Sequence, residues 1–354
     1  MPPPQIFFIT ADTSYPNSLA RLAAQTKIIL NCVGPFWLYG QSMVSACVDS
    51  GCDYLHIYSE PEFMERMGAL YHERAVEKGS LVISACGFDS IPTEMGMIFH
   101  LSQWARSAGP TRVEAYLSLE SSKRMVGNYG TYESAVIGVA NADKLMQLRR
   151  SKHRKARHAI PGPAPLKGSI IEHHKEVGLW AVKLPSADST IVRRTLSTLA
   201  ENPHGLPGVN EIKKREAFCH LLLCKFSFGR WLLLRYPSFF SLGWFKKAGL
   251  SEDEVASSTF KMLFVGHGFS DGSLAPQGDK NPDNEVITRA TRSEIGYITT
   301  SIVLLQCALE LLNDRNNFPK GGVYTPGIVF GPTDLQERLQ ENGISFDFVS
   351  KSAL

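Results

Sequence analysis

The stretch at 26–41, TKIILNCVGPFWLYGQ, constrains this chain most, because its character changes at a single point. Residues 27–33 form an apolar run that Gly34-Pro35 ends, and from Ser42 to Asp49 the spacing turns helical, with Ser42 as the expected cap. A continuous apolar run between turn residues suits a parallel strand covered on both faces. The unit is therefore strand, turn, helix. In doubly wound sheets such a turn lies at the carboxyl edge, where ligands bind, so residues 31–40 are a candidate cofactor contact. An ordinary strand-to-helix connection has the same spacing and is the simpler reading of it.

The pattern repeats on both sides. Residues 5–10 read as a short buried strand and 18–25 as a helix. After the helix at 41–50 come a strand at 54–58, a helix opened by Pro61 and running to Lys78, and a strand at 80–85. That strand ends in Cys86-Gly87-Phe88-Asp89-Ser90-Ile91-Pro92, a second turn expected at the same sheet edge, and a helix follows at 93–104. Repeated units of this length predict an α/β fold with a Rossmann-like doubly wound parallel sheet and right-handed crossovers. A dinucleotide-binding domain normally opens on a G-x-G-x-x-G turn whose amides hold the pyrophosphate, and none precedes residue 26. The expectation is an incomplete domain, entered partway through. Gly266-His267-Gly268 lacks the third glycine and reads as a turn between strands.

With 354 residues and ordinary apolar and charged fractions, the chain is long enough for two globular cores. A net charge of +3 with scattered basic residues argues against a nucleic-acid partner. Seven cysteines at irregular spacing fit reduced intracellular thiols, and Cys47 and Cys52 have no second pair to complete a zinc site. The opening residues, MPPPQIFFITADTSYP, have no basic n-region and too short an apolar run for a cleaved signal peptide.

From residue 111 the apolar period becomes two, as in a half-exposed antiparallel strand, which places a domain boundary near 108–110. An amphipathic helix at 129–148 runs into the basic segment RRSKHRKARH at 149–158, which reads as a solvated linker or as a contact for lipid head groups or phosphate. His173-His174 is expected in an exposed loop. Residues 188–195, ending in Arg193-Arg194, read as a strand, and 258–265 and 285–291 as further strands of one mixed or antiparallel sheet. The segment at 221–245, LLLCKFSFGRWLLLRYPSFFSLGWF, carries too many charges for a clean transmembrane helix. Two readings stand for it: a stretch lying in a membrane interface, or a buried helix and loop under the second sheet. A long helix at 296–312, apolar nearly all round, should be buried between layers, and a helix at 334–342 and a strand at 344–349 close the chain.

Several motifs are similar to those of the saccharopine dehydrogenase-like oxidoreductases. They are NCVGPFWLYG at 31–40, SGCDYLHIYSEPEF at 50–63, SACGFDSIP at 84–92, GTYESA at 130–135, IVRRT at 191–195, FGRWLL at 228–233 and GGVYTPG at 321–327. The resemblance covers nearly the whole chain and is nearest to the plant members. It implies an NAD(P)-binding Rossmann domain at 1–108, an inserted α+β domain at 109–295, and C-terminal helices and a strand at 296–354 that pack back on the first domain. Relatives in the wider group include enzymes of lysine metabolism and enoyl reductases of lipid intermediates, and animal members are associated with lipid droplets. The family pattern D-x-S-G-E or D-x-T-G-E is replaced here by His56, Ile57, Tyr58, Ser59 and Glu60, and the stretch between Phe218 and Phe226 is shorter than in related chains.

On this reading NAD or NADP lies against Asn31, Gly34, Pro35, Phe36, Gly87, Phe88 and Asp89, with affinity expected to be weak or absent for want of the pyrophosphate cradle. No catalytic residue is assigned. Asp89 and Glu60 are nearest by position, and each would equally serve as a helix cap. The expected substrate is a small molecule or lipid, with a membrane or lipid-droplet surface and a homodimer as further partners, no metal, and an intracellular location on the cytoplasmic face of membranes or droplets or in the mitochondrion. The alternative is a non-catalytic membrane or lipid-droplet surface protein that retains the fold.

Overall fold

The computed structural model describes residues 7–105, 109–151, 171–174, 178–182, 187–201, 226–271 and 282–354. The expected basic linker beyond Ser151 and residues 202–225 lie outside them.

The first part of the chain alternates helix and strand: α1 (Pro16–Ala23), β1 (Ile28–Asn31), α2 (Phe36–Ser50), β2 (Asp53–His56), α3 (Pro61–Lys78), β3 (Leu81–Ile83) and α4 (Ile91–Ser102). Here α3 runs between a proline at its first turn and Gly79, whose φ of 73° closes the helix in the left-handed region. The second part holds β4 (Pro110–Ser121), β5 (Gly127–Asn128), α5 (Tyr129–Ala140), α6 (Ala142–Ser151), β6 (Ile171–His174), β7 (Leu179–Val182), α7 (Asp188–Glu201), α8 (Ser227–Arg235), α9 (Pro237–Phe240), β8 (Phe245–Lys246), α10 (Glu252–Ala256), β9 (Ser258–Gly268) and β10 (Asn284–Ser293). A π-helical turn at Ile295–Thr299 leads into α11 (Thr300–Asn313), and β11 (Gly322–Tyr324), α12 (Pro326–Phe330), α13 (Leu335–Glu341) and β12 (Ser345–Ala353) complete the chain.

The first sheet is parallel, in the order β1-β2-β3-β11, and the second is antiparallel, in the order β12-β10-β9-β4. Tyr54, Val82 and Val323 face a core shared with α1, α2 and α3, while Leu55, Leu81 and Ile83 face one built from α4, α11, α12 and α13. Helices cover both faces, as the doubly wound reading requires. Phe260, Met262 and Phe264 of β9 extend the second core, so one apolar body joins the two sheets. Each such fully buried side chain contributes about 1.5–3 kcal/mol of burial free energy.

Several expectations are corrected. Residues 7–10 are not a strand; Phe7 and Phe8 are exposed and, among the described residues, join no sheet. The closing strand does not join the first sheet, because β12 pairs along β10, and it is β11 that returns to β3. Residues 188–195 are helical: Ile191, Val192, Thr195 and Leu196 are buried at helical spacing, so the β-branched content that suggested a strand is overridden by packing. His174 lies in β6, half-buried, with Nδ1 2.8 Å from the hydroxyl of Tyr116. Finally, Ile295–Asn313 is long and apolar enough by composition to cross a membrane, but only its inner face is buried; Val303, Leu304, Cys307, Ala308 and Leu311 pack inward while Leu305, Leu309 and Leu312 stand exposed.

Candidate functional site

Because β1, β2, β3 and β11 are parallel, the turns that follow them share one edge of the sheet. The turns of Gly34 and Gly87 therefore lie on the same side, with β2 between their strands.

The two glycines differ in what surrounds them. A Cβ on Gly87 would stand 2.1 Å from the carbonyl oxygen of Ile57, so the glycine is fixed by close approach of the β2 backbone. A Cβ on Gly34 would meet nothing nearer than the Phe36 ring at 3.7 Å, and Gly34 is exposed. Gly34 tolerates a Cβ at ordinary contact distance from Phe36. Of the other expected contacts, Asn31 is buried, with its side-chain amide donating to Tyr54 at 3.0 Å and its oxygen accepting from Val33 at 2.9 Å. Phe36 is buried against His56 and Phe63, and Pro35 is buried beside it. Phe88 is tied to the second part of the chain: its amide donates to Thr300 at 3.2 Å and its ring meets Phe260 edge-on at 4.8 Å. Gly34 and Asp89 alone among the seven reach solvent.

The end of β2 accounts for the residues that depart from the family pattern. His56 is buried among Phe36, Tyr54 and Phe63, and burial, against a smaller opposing pull from the Tyr58 backbone, pushes its pKa down to about 3, so the ring is neutral at pH 7. Ser59 has no positive φ, and its hydroxyl donates to the Asp89 carbonyl at 2.5 Å; the serine links two strand ends without left-handed strain. The Glu60 carboxylate accepts from the amides of Phe36 at 2.9 Å and Trp37 at 2.7 Å, and from the Ser134 hydroxyl at 2.9 Å. It caps α2, not the helix that follows it. This is why α2 begins at Phe36, several residues before the cap expected at Ser42.

Asp89 is different in kind. Its carboxyl is half-buried and makes no hydrogen bond among the described residues. Burial and the nearby Asp188 carboxylate push its pKa up to about 8. Asp188, at the start of α7, accepts from the Thr93 hydroxyl at 3.0 Å. The half-buried Tyr58 phenol is raised by burial and by Asp89, Glu60 and Asp188. Deeper in, Glu94 accepts from Thr195 at 2.7 Å and from the amide of Gly327 at 2.5 Å, and burial lifts its carboxyl to about 7. The sequence pointed to Asp89 and Glu60. It missed Tyr58, Glu94, Asp188 and Thr195; the last two lie on the misread helix, where helical apolar spacing was the available signal.

A cavity of about 500 Å³ opens at the opposite, amino edge of the sheet, lined by Lys27, Asp53, Arg315 and Lys320 among others. There Arg315 is already bound to Asp53 and to the carbonyls of Gly79, Pro319 and Lys320, which makes it a structural clamp. Among the described residues no cluster of three or more His, Cys, Asp or Glu could hold a metal ion.

Comparison with known proteins gives a consistent set of relatives. No protein-family model matches the chain. A probable mitochondrial saccharopine dehydrogenase-like oxidoreductase of Arabidopsis thaliana is 58% identical over 99% of this chain and 84% of its own length. The saccharopine dehydrogenase-like oxidoreductase of Bos taurus is 35% identical over 98% of this chain and 83% of its own. A lipid droplet localized protein of Caenorhabditis elegans is 32% identical over 97% of this chain and 84% of its own.

Proposed function

The chain belongs to the saccharopine dehydrogenase-like oxidoreductases, and on that premise we propose that it is a nicotinamide-dependent reductase of a small-molecule or lipid carbonyl, imine or enoyl group, working at the carboxyl edge of the parallel sheet. The observation that carries this reading is the pairing of an open turn at Gly34 with a proton-holding carboxyl at Asp89 on that one edge. Bound NADH or NADPH supplies a hydride. The chain supplies the rest. Gly34 gives a flat approach for a ring, and the Phe88 amide and ring, held by Thr300 and Phe260, fix the wall beside Asp89. At neutral pH Asp89 retains its proton, donates it to the reduced substrate, and regains one from solvent. Glu60 is spent on capping α2, so no cofactor phosphate is held at that helix terminus.

The reading is tested by following NADH and NADPH oxidation against a panel of ketones, imines and 2-enoyl lipids. Asp89→Asn should lower kcat by about 10²–10⁴-fold, the usual contribution of a general acid, with cofactor affinity unchanged. Cofactor binding without turnover of any panel member would favour the non-catalytic alternative.

A second reading concerns location. Phe226, Phe228, Trp231, Tyr236, Phe239, Leu242 and Trp244 are all exposed, interleaved with Arg230, Arg235, Lys246 and Lys247. Rings beside cations suit attachment in the head-group region of a membrane or droplet surface, and a droplet-localized relative supports that surface. The Arabidopsis relative, named mitochondrial, supports the organelle as the other location.

A further inference from the structure

The amino edge of the parallel sheet, opposite the turns of Gly34 and Asp89, carries the cavity of about 500 Å³. Lys27 just before β1, Asp53 at the start of β2, and Arg315, Asn316, Phe318 and Lys320 from the segment between α11 and β11 line it. Gly51 and Gly79, which close α2 and α3, stand beside them. Small molecules bind in pockets of about 300–1,000 Å³, and this one falls within that range.

Part of the lining is fixed in advance. Asp53 is buried and accepts from the Leu81 amide at 2.7 Å and from Arg315 Nε at 2.7 Å and Nη2 at 3.2 Å. Arg315 also donates to the carbonyls of Gly79 and Lys320 at 2.9 Å and of Pro319 at 3.0 Å, so Asp53 and Arg315 cancel in charge while Nη1 keeps one N–H beyond its Pro319 bond. The two lysines differ from this pair. Both are exposed, and among the described residues neither ammonium makes a hydrogen bond or an ion pair. The side-chain amide of Asn316 is equally unbonded among them. Three cations thus face one carboxylate. The carboxyl ends of α2 and α3 add about half a negative charge each, and the amides of Gly51, Cys52, Gly79 and Ser80 already satisfy carbonyls there, so about one positive charge stays unanswered.

We propose that this cavity is a second ligand site, separate from the Gly34 and Asp89 edge, and that it takes the phosphoryl group of a small phosphomonoester between Lys27 and Lys320. A phosphomonoester carries about −1.5 to −2 charge at pH 7, which two ammonium groups on flexible stems can close upon as point charges. The spare Arg315 N–H and the Asn316 amide supply directed donors, and Phe318 gives the carbon skeleton an apolar wall. A carboxylate suits the site less, because the fork of Arg315 that would grip two oxygens at once is filled by Asp53. The whole of β2, from Asp53 to His56, separates this cavity from the opposite edge, so the site does not rest on the oxidoreductase reading.

Calorimetric titration of the full chain with inorganic phosphate, glycerol 3-phosphate and acetate tests the assignment. The wild type should bind both phosphates saturably at one site, and acetate at least tenfold more weakly. The double variant Lys27→Gln, Lys320→Gln should weaken phosphate binding at least tenfold, while Lys351→Gln, on exposed β12, should stay within twofold of wild type. Since neither lysine has a side-chain partner to lose, the double variant should melt no lower than wild type, which keeps its loss of binding separate from loss of fold. No saturable phosphate binding, binding within twofold in the double variant, or tighter binding of acetate than of phosphate would each overturn the proposal. Lysine-dependent sedimentation with phosphatidic acid vesicles, with neither soluble phosphate bound, would assign the lysines to a lipid surface and overturn it too. Titration with NADH and NADPH on the same proteins keeps the two sites apart. Unchanged cofactor affinities in the double variant support a separate site, and a parallel loss of cofactor binding would make the phosphate the cofactor's own and overturn it. Lysine-dependent phosphate binding in a wild type that binds neither cofactor would fail the cofactor reading and leave this site standing.

Discussion

Glu60 Oε1 lies 2.9 Å from the backbone nitrogen of Phe36, across the junction between the ends of β2 and β1. Together with the 2.7 Å bond from the Trp37 amide, this makes one carboxylate the cap of a helix that begins 24 residues earlier. A third bond, from Ser134, ties the same carboxylate to α5 and so to the second part of the chain. The negative charge at the start of α2 is thus internal, and it complements the helix dipole without a ligand.

Removing that carboxylate should be costly. Glu60→Ala strands one buried and one half-buried amide donor and a buried hydroxyl, and an expected loss of about 2–4 kcal/mol follows from unsatisfied groups and a lost cap. Glu60→Gln keeps one acceptor oxygen and should lose less. Urea denaturation measures both, and equal stability of Glu60→Ala and wild type would remove the cap from the account.

The two turn glycines should respond in opposite ways. Gly87→Ala drives a Cβ into the Ile57 carbonyl at 2.1 Å, a backbone contact that cannot swing aside, and should cost about 3 kcal/mol or prevent folding. Gly34→Ala meets no atom within 3.7 Å and should stay within about 0.5–1 kcal/mol of wild type. Melting temperatures of the two variants decide this.

Stability should fall as pH rises. Asp89 and Glu94 have folded values of about 8 and about 7, above their ordinary 3.8 and 4.5, so between about 4 and 8 the native state holds protons that the unfolded chain releases. Stability from these groups is full below the unfolded values and lost through the folded ones. Asp89→Asn, which cannot ionise, should match wild type only below about pH 3.8, pull ahead progressively from there to about pH 8, and exceed it near pH 8.5 by about 2 kcal/mol more than it does near pH 5, a figure discounted from roughly 1.4 kcal/mol per unit because the carboxyl is half-buried. Parallel stability curves for the two proteins between pH 5 and 8.5 would contradict the assignment.

The exposed rings of α8 and the loop after α9 should matter to attachment and little to folding. Trp231 and Trp244 are 55% and 53% exposed, so replacing both with Ser should change stability by less than about 1 kcal/mol, against about 3–5 for buried rings. Sedimentation with liposomes should weaken. Loss of fold without a specific loss of attachment would retire the membrane surface.

The sequence made the parallel sheet legible wherever the signals were local. Pro61 and Gly79 bracket α3, and the apolar runs before Gly34 and Gly87 mark β1 and β3 because both faces of those strands are covered. What it hid was made at a distance. The start of α2 depends on Glu60, which no window around Phe36 contains, and the position of His56 depends on three rings brought in from β2, α2 and α3. The misreading of α7 had a different cause: Thr190, Ile191 and Val192 favour strand locally, and only burial against the two cores makes the helix the better choice. With that helix went Asp188 and Thr195. That part of the site therefore lay in a segment whose local preference and tertiary fate disagree.

The central claim is that a nicotinamide cofactor meets this chain at the open turn of Gly34, and fluorescence titration of NADH and NADPH against wild type and Gly34→Val tests it most directly. A Cβ there makes only ordinary contact with the Phe36 ring and Gly34 is exposed, so the variant should stay close to the wild-type melting temperature. The account predicts weak, saturable wild-type binding of one of the two, with a dissociation constant between about 10 μM and 1 mM, since the start of α2 offers no site for phosphate, and at least tenfold weaker binding in Gly34→Val. No saturable signal from either cofactor, or equal affinity in the folded variant, would contradict it.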